Sequence, residues 1–176
     1  MKQFVYILGP PGAGKTTAMR GVCAGGMKIF DAQKPVKHVG YMKQGKAFAV
    51  LGEERPPFGG TDTLSYTVIN GCDRWLAKLP DIVFAEGDRL ATARIFASVR
   101  KQYSLSVVYL NCPDALLKAR RAVRAKEFGL PMQDDGCVAG RLTKHRGLAE
   151  REGAIFLDAT ADPKEVAEFI WVLAGE

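Results

Sequence analysis

Apolar residues along this chain gather in short runs separated by mixed, helix-like stretches. The first run, Phe4-Val5-Tyr6-Ile7-Leu8, is continuous and β-prone. Such a run predicts a strand buried on both faces, here over about Gln3–Leu8. A helix from Lys15 to about Cys23 follows, and Ala24-Gly25-Gly26 ends it. Met27–Asp31 is a short second strand. His38–Met42 and Lys46–Leu51 flank Gln44-Gly45, a pattern that predicts a hairpin. Residues 52–60 form a loop by composition. Asp62 or Thr63 then opens a helix to about Leu79, which Pro80 stops. Asp81–Glu86 is a third strand, Asp88–Lys101 a helix with Leu90, Ile95 and Val99 inward, and Leu105–Leu110 a fourth strand. Pro113-Asp114 starts a helix to about Glu127, and Val138 to about Glu152 forms another. Ala154–Leu157 is the fifth strand, and Asp162-Pro163 opens a last helix. Five strands alternating with helices predict a doubly wound parallel sheet in one domain, with the hairpin at about 36–51 as an insertion.

Composition narrows the class. At 176 residues with 47% apolar content, the chain suits one globular domain. No apolar run approaches the length needed to cross a bilayer, and no signal pattern opens it, so a cytoplasmic protein is expected. Cys23, Cys72, Cys112 and Cys137 make no C-x-x-C pair, and free thiols are expected. His38 and His145 are too scattered to suggest a metal site. The net charge is +6, and residues 1–60 alone carry nine Lys/Arg against three Asp/Glu. A basic front half suits a polyanionic partner, although a solvated basic face would carry the same charges.

The chemistry begins at Gly9-Pro10-Pro11-Gly12-Ala13-Gly14-Lys15-Thr16. This is the complete G-x-x-x-x-G-K-[ST] pattern, set between a strand and a helix as its function requires. The loop turns successive N–H groups toward one anion, and the helix that begins at Lys15, with Thr17 in its first turn, adds its dipole. Lys15 would reach the β- and γ-phosphates of ATP, and the Thr16 hydroxyl would hold Mg²⁺.

Three further groups are candidates. Glu86, Asp88 and Arg89 stand past the third parallel-type strand, where ligands of open sheets bind. Glu86 is the first candidate for an acceptor base. Asp88 would hold Mg²⁺ through water or cap the next helix, and Arg89 would clamp a phosphate or lie at the surface. Phe58-Gly59-Gly60-Thr61-Asp62-Thr63 offers a close backbone approach at Gly60, polar groups at Thr61 and Asp62, and a stacking ring at Phe58. It is either an acceptor loop, with Asp62 the second candidate base, or a capped connection. Arg120 and Arg124 share a helix face, and Arg141, Lys144 and His145 repeat the arrangement on the next helix. Two such helices, over about 120–146, would make a lid on the ATP phosphates.

The phosphate loop, Glu86-Gly87-Asp88-Arg89, the Arg-rich helices and Leu157-Asp158-Ala159-Thr160 together resemble the nucleoside and nucleotide kinase branch of P-loop proteins, over nearly the whole chain. The resemblance implies a three-layer α/β/α fold with Asp158–Ala161 bordering the adenine. Phe58–Ser65, Glu86–Thr92 and Gly140–Lys144 are similar to phage-type 5-hydroxymethyluracil DNA kinases. That narrower resemblance implies transfer to a modified pyrimidine in DNA, inside a host cytoplasm. Lys43, Lys46 and Arg55 would then track the DNA backbone, and Phe58 would stack on a flipped base. The hairpin, and Glu86 where many relatives have Asp, set the chain apart from plain thymidylate or adenylate kinases. A free-nucleotide kinase, a small-metabolite kinase and a non-enzymatic ATP-binding protein are the competing readings.

Overall fold

The computed structural model describes residues 2–55 and 58–175. Its strands are β1 (Gln3–Leu8), β2 (Met27–Ala32), β3 (His38–Lys43), β4 (Lys46–Leu51), β5 (Glu53–Arg55), β6 (Phe58–Gly60), β7 (Ile82–Glu86), β8 (Ser104–Asn111) and β9 (Ile155–Asp158). Its helices are α1 (Lys15–Cys23), α2 (Cys72–Leu76), α3 (Ala93–Arg100), α4 (Asp114–Glu127), α5 (Asp135–Arg151) and α6 (Pro163–Val172). The main sheet has the order β2-β3-β4-β7-β1-β8-β9, while β5 and β6 pair by themselves.

Strand β1 is apolar throughout because both its faces are covered. Phe4, Tyr6 and Leu8 point into one core with residues of α2, α3 and α5. Val5 and Ile7 point into the other, with residues of α1, α4 and α6. The period of two thus distributes one continuous run between two layers. The result is the expected three-layer arrangement, a mostly parallel sheet between helices.

The sheet corrects the expected strand count from five to seven. The hairpin at 36–51 belongs to that sheet. Gln44 and Gly45 both take left-handed backbone, at φ 51° and 74°, as a tight hairpin turn requires. Its second strand, β4, pairs parallel with β7 (Ala49↔Val83, Val50↔Phe84), so β4 fills the place expected of the second strand. Strand β2 instead pairs antiparallel with β3 and forms the edge.

Two helices are shorter than expected. In place of one helix to Leu79 there are 3₁₀ turns at Thr61–Thr63 and Tyr66–Ile69, then the short α2. Residues 63–70 are largely β-branched, aromatic or small polar, and such residues support a helix poorly. The Ser65 side chain accepts from Thr67 N and caps a separate turn. Helix α3 begins at Ala93 with Thr92 as its cap, so Asp88 caps nothing there. Helix α5 begins three residues before Val138, at Asp135, capped by Asp134. Cys72 and Cys112 are buried free thiols, Cys23 is half-buried and Cys137 is exposed.

Candidate functional site

The register places the site. β1 pairs Ile7 with Glu86 on one side and Leu8 with Tyr109 on the other. Glu86 therefore stands level with the end of β1, where the chain leaves the sheet to form the loop from Gly9. Gly12 holds φ 90°, and a Cβ there would lie 2.9 Å from the Leu117 carbonyl oxygen, so the loop can pass under α4 only with glycine.

Lys15 is half-buried and donates to the Gly9 carbonyl at 2.9 Å and the Pro10 carbonyl at 3.2 Å. Burial pushes its ammonium below the ordinary lysine range, while Glu86 and Asp62 oppose that shift. The Thr16 hydroxyl donates to Glu86 Oε1 at 3.0 Å. Glu86 is 3% exposed, and burial raises its carboxyl above the usual range against the pull of Lys15 and Thr16. A buried carboxylate beside a hydroxyl, both oxygen donors, suits a hard cation that completes its shell with phosphate and water. No cluster of three or more His, Cys, Asp or Glu occurs among the described residues, so the protein itself would supply few ligands to such an ion.

Strand β6 walls this pair. A Cβ on Gly60, at φ 60°, would lie 2.4 Å from the Glu86 carbonyl oxygen and 2.6 Å from Glu86 Oε1. Gly60 is thus needed for close approach to Glu86. Thr61 is fully buried, and its hydroxyl meets the Tyr6 hydroxyl at 3.2 Å. The side-chain role expected of Phe58 lies outside the described residues. Asp62 Oδ1 accepts from the backbone N–H of Asp88 at 2.7 Å and of Arg89 at 3.1 Å. This ties the two candidate acceptor segments into one corner. Arg89 turns its guanidinium onto the exposed Tyr66 ring, 3.4 Å from the centroid, with Nη1 buried and without a partner.

Asp88 is occupied by other groups. Its Oδ1 accepts from His145 Nε2 at 2.8 Å and Lys144 Nζ at 2.7 Å. The His145 hydrogen bond, with Lys144 beside it, holds the Asp88 carboxyl well below the usual carboxylate range. His145 is 2% exposed, and its Nδ1 lies 2.9 Å from the Gly9 carbonyl oxygen. Sequence reasoning places His145 on the Arg141 face of α5 and misses this contact. The i, i+4 spacing to Arg141 is the available signal.

The basic helices face the loop. Arg120 donates from Nη1 to the Gly12 carbonyl at 3.4 Å and from Nη2 to the Ala159 carbonyl at 3.3 Å, bridging the loop to the segment after β9. Arg124 is held by Gln133 Oε1 at 3.1 Å. Burial, then the charges of Arg121 and Arg141, push the Arg124 guanidinium below its ordinary range. Arg121 is buried, with Nε unpartnered and Nη2 3.8 Å from Asp135 Oδ1. Three guanidiniums close enough to repel one another suit a polyanion. A cavity of about 490 Å³ joins these parts, in the range of small-ligand sites. Its walls include Gly9, Pro11 to Thr17, Asp62, Glu86, Asp88, Arg120, Arg124 and Arg141, but neither Thr61 nor Arg89.

The hairpin lysines are elsewhere. β4 runs parallel to β7 and ends at Leu51 beside the site, so its first residue, Lys46, lies at the opposite edge of the sheet. Lys43 donates to the Val22 carbonyl at 2.8 Å and sits 4.8 Å from the Trp171 ring centroid. Lys46 donates to the Gly175 carbonyl. The expectation that these two lysines track a ligand's backbone into the site is overturned.

Comparison with known proteins agrees with the fold. No curated protein matches the chain in sequence. A crystal structure of an unliganded sugar kinase from Janibacter sp. HTCC2649 is similar in fold, with a TM-score of 0.57 and 17% identity, over 99% of this chain and 96% of that one. At that identity the likeness speaks for the fold. No helix among the described residues is long and apolar enough to cross a membrane. The model of the family described as P-loop Nucleotide Kinase3 matches residues 1–166, and the chain belongs to that family of nucleotide-binding phosphotransferases.

Proposed function

We propose that the protein is an ATP-dependent kinase that moves the γ-phosphate to a hydroxyl, foremost the 5-hydroxymethyl group of a modified pyrimidine in DNA. The observation that carries the kinase reading is one cavity shared by Lys15, Glu86, Arg124 and Asp62. Donor groups and a carboxylate for the acceptor meet there.

Lys15 and the loop amides hold the triphosphate. Thr16 and Glu86 would hold Mg²⁺, which supplies charge neutralisation at the phosphates. That pairing moves Glu86 from acceptor base to the metal side. Asp62 takes the base role, because two backbone amides fix one of its oxygens while its carboxylate borders the cavity. Asp62 accepts the hydroxyl proton as the acceptor oxygen bonds to the γ-phosphorus. The bond from that phosphorus to the β-bridging oxygen breaks, and ADP departs with the oxygen. Arg124 and Arg141 offset the charge of the transferring group.

The acceptor is supported by the resemblance of Phe58–Ser65 and Glu86–Thr92, and by exposed Arg55 on β5. One observation favours a free nucleotide as the second reading: Lys43 and Lys46 turn away from the cleft.

The test offers γ-labelled ATP and Mg²⁺ with hydroxymethyluracil-containing DNA, plain DNA and a panel of free nucleotides. Label in the modified DNA is expected. Label only in a mononucleotide overturns the DNA reading, and tight ATP binding without transfer to any acceptor overturns the kinase. Asp62→Asn should lower kcat by about 10³-fold, with ATP affinity kept.

A further inference from the structure

Helix α5 does more than carry cations over the cleft. His145, Leu148 and Ala149 are buried along one side of it, which fixes this half of the helix against the body of the fold. From that anchored position the His145 ring bridges two parts of the site. Nδ1 faces the Gly9 carbonyl oxygen at 2.9 Å and Nε2 faces Asp88 Oδ1 at 2.8 Å. The same Gly9 carbonyl also receives Lys15 Nζ at 2.9 Å.

Lys15 cannot serve Gly9 and a triphosphate together. When it turns to the phosphates, the Gly9 carbonyl at the mouth of the loop would lose a charged donor. Leaving such a group unpaired away from water is costly. A second donor already in place removes that cost.

We propose that His145 is a positioning residue that holds the Gly9 carbonyl in place, so that Lys15 can leave it for the phosphates. The inference rests on the phosphotransferase reading and is independent of the acceptor. His145 works through the loop and through Lys15, without touching ATP. Asp88 is the partner that keeps the ring turned toward Gly9, and Lys144 shares that carboxylate. Both ring nitrogens face oxygen acceptors. The role needs an N–H on Nδ1, the nitrogen that faces Gly9, before and after ATP binds.

Two variants of the full chain separate this role from simple core filling. In His145→Asn the side-chain amide falls near the Nδ1 position and can still donate to Gly9. In His145→Gln the amide falls near the Nε2 position and reaches Asp88 instead. Affinity for a non-hydrolysable ATP analogue, measured by calorimetry, should stay within about threefold for Asn and weaken about tenfold for Gln, the scale of one charge-assisted hydrogen bond. Gln binding as tightly as Asn, or tighter, overturns the proposal, since Gln fills the core space better. The long-range ¹H–¹⁵N spectrum of wild-type protein decides the matter even where neither variant folds. A protonated Nδ1 on His145, with and without the analogue, is expected. A bare Nδ1 in either state overturns it. Wild-type protein that does not bind the analogue counts against the kinase reading instead.

Discussion

The two basic regions of this chain have similar composition and opposite fates. Residues 37–46 hold Lys37, Lys43 and Lys46, and α4–α5 hold Arg120, Arg121, Arg124, Arg141 and Lys144. On the helices, Arg120, Arg124 and Arg141 border the cleft, Arg120 held by the Gly12 and Ala159 carbonyls and Arg124 by Gln133. On the hairpin, each lysine is taken by the protein itself: Lys37 by Glu53, Lys43 by Val22 and Trp171, Lys46 by Gly175. Strand direction explains the difference. The hairpin turn must lie at the amino end of the parallel strands if Leu51 is to end beside the site, so Lys43 and Lys46 cannot reach the ligand, whereas Lys37 stands opposite Gly52 at the cleft end and is held there by Glu53. Charge counted along a sequence says how much field a protein carries, and topology says where the field points.

The sharpest way to break that contrast is to remove the cations in pairs. The double change Arg124→Ala with Arg141→Ala should lower kcat by about 10³-fold, since removing a single such donor costs about 10²–10³. Lys43→Ala with Lys46→Ala should leave kcat within about twofold, because neither reaches the cleft. Equal losses from the two doubles, measured at saturating ATP, would refute the division.

A second measurement addresses the DNA reading. Arg55 is exposed on β5, next to Glu54, which lines the cavity. If DNA is the acceptor, Arg55→Ala should reduce the slope of log affinity against log salt by about 1, the change expected when one phosphate is no longer neutralised. The Lys43 and Lys46 double should not change that slope. A reduced slope for the lysines and none for Arg55 would reverse the assignment.

The hairpin lysines serve stability instead. Trp171 stacks on Phe84, with centroids 5.9 Å apart, and meets Phe48 edge-on at 5.1 Å. Its indole N–H donates to Gln44 Oε1 at 3.0 Å, and Lys43 lies over its ring. This pins the hairpin turn to α6. Trp171→Ala should cost about 3 kcal/mol in denaturant unfolding, with activity per folded molecule kept. A matching loss of kcat in folded protein would show that the far edge does reach the site.

These contrasts also mark what the sequence could reveal. The loop Gly9–Thr16 and β1 are legible because a continuous apolar run, a spacing and a helix start all agree locally. The membership of β4 is not, since its pairing with β7 joins residues 34 apart and leaves no local trace. The expected helix to Leu79 fails because Thr63, Thr67 and Val68 favour other backbone states more than their apolar spacing favours a helix. Among the carboxylates, Glu86, Asp62 and Asp88 look alike in sequence. Only the register Ile7↔Glu86 puts Glu86 beside Thr16, and only His145 and Lys144 take Asp88 away from the acceptor.

Glu86 gives the smallest expected effect and the subtlest one. Its folded carboxyl titrates above the unfolded value, with burial as the leading cause. A group raised in this way binds its proton more tightly when the chain is folded. Its contribution is therefore fully present below the ordinary glutamate range and is lost as pH rises through the raised value. At neutral pH the buried charge is a cost carried for function, whereas the hairpin pairs are kept for stability. Glu86→Gln removes the charge and can still accept the Thr16 hydrogen bond. It should raise the thermal midpoint at pH 7 and leave it nearly unchanged near pH 4, while transfer falls. A variant less stable than wild type at pH 7 would mean that the ion pairing of Glu86 with Lys15 outweighs its desolvation.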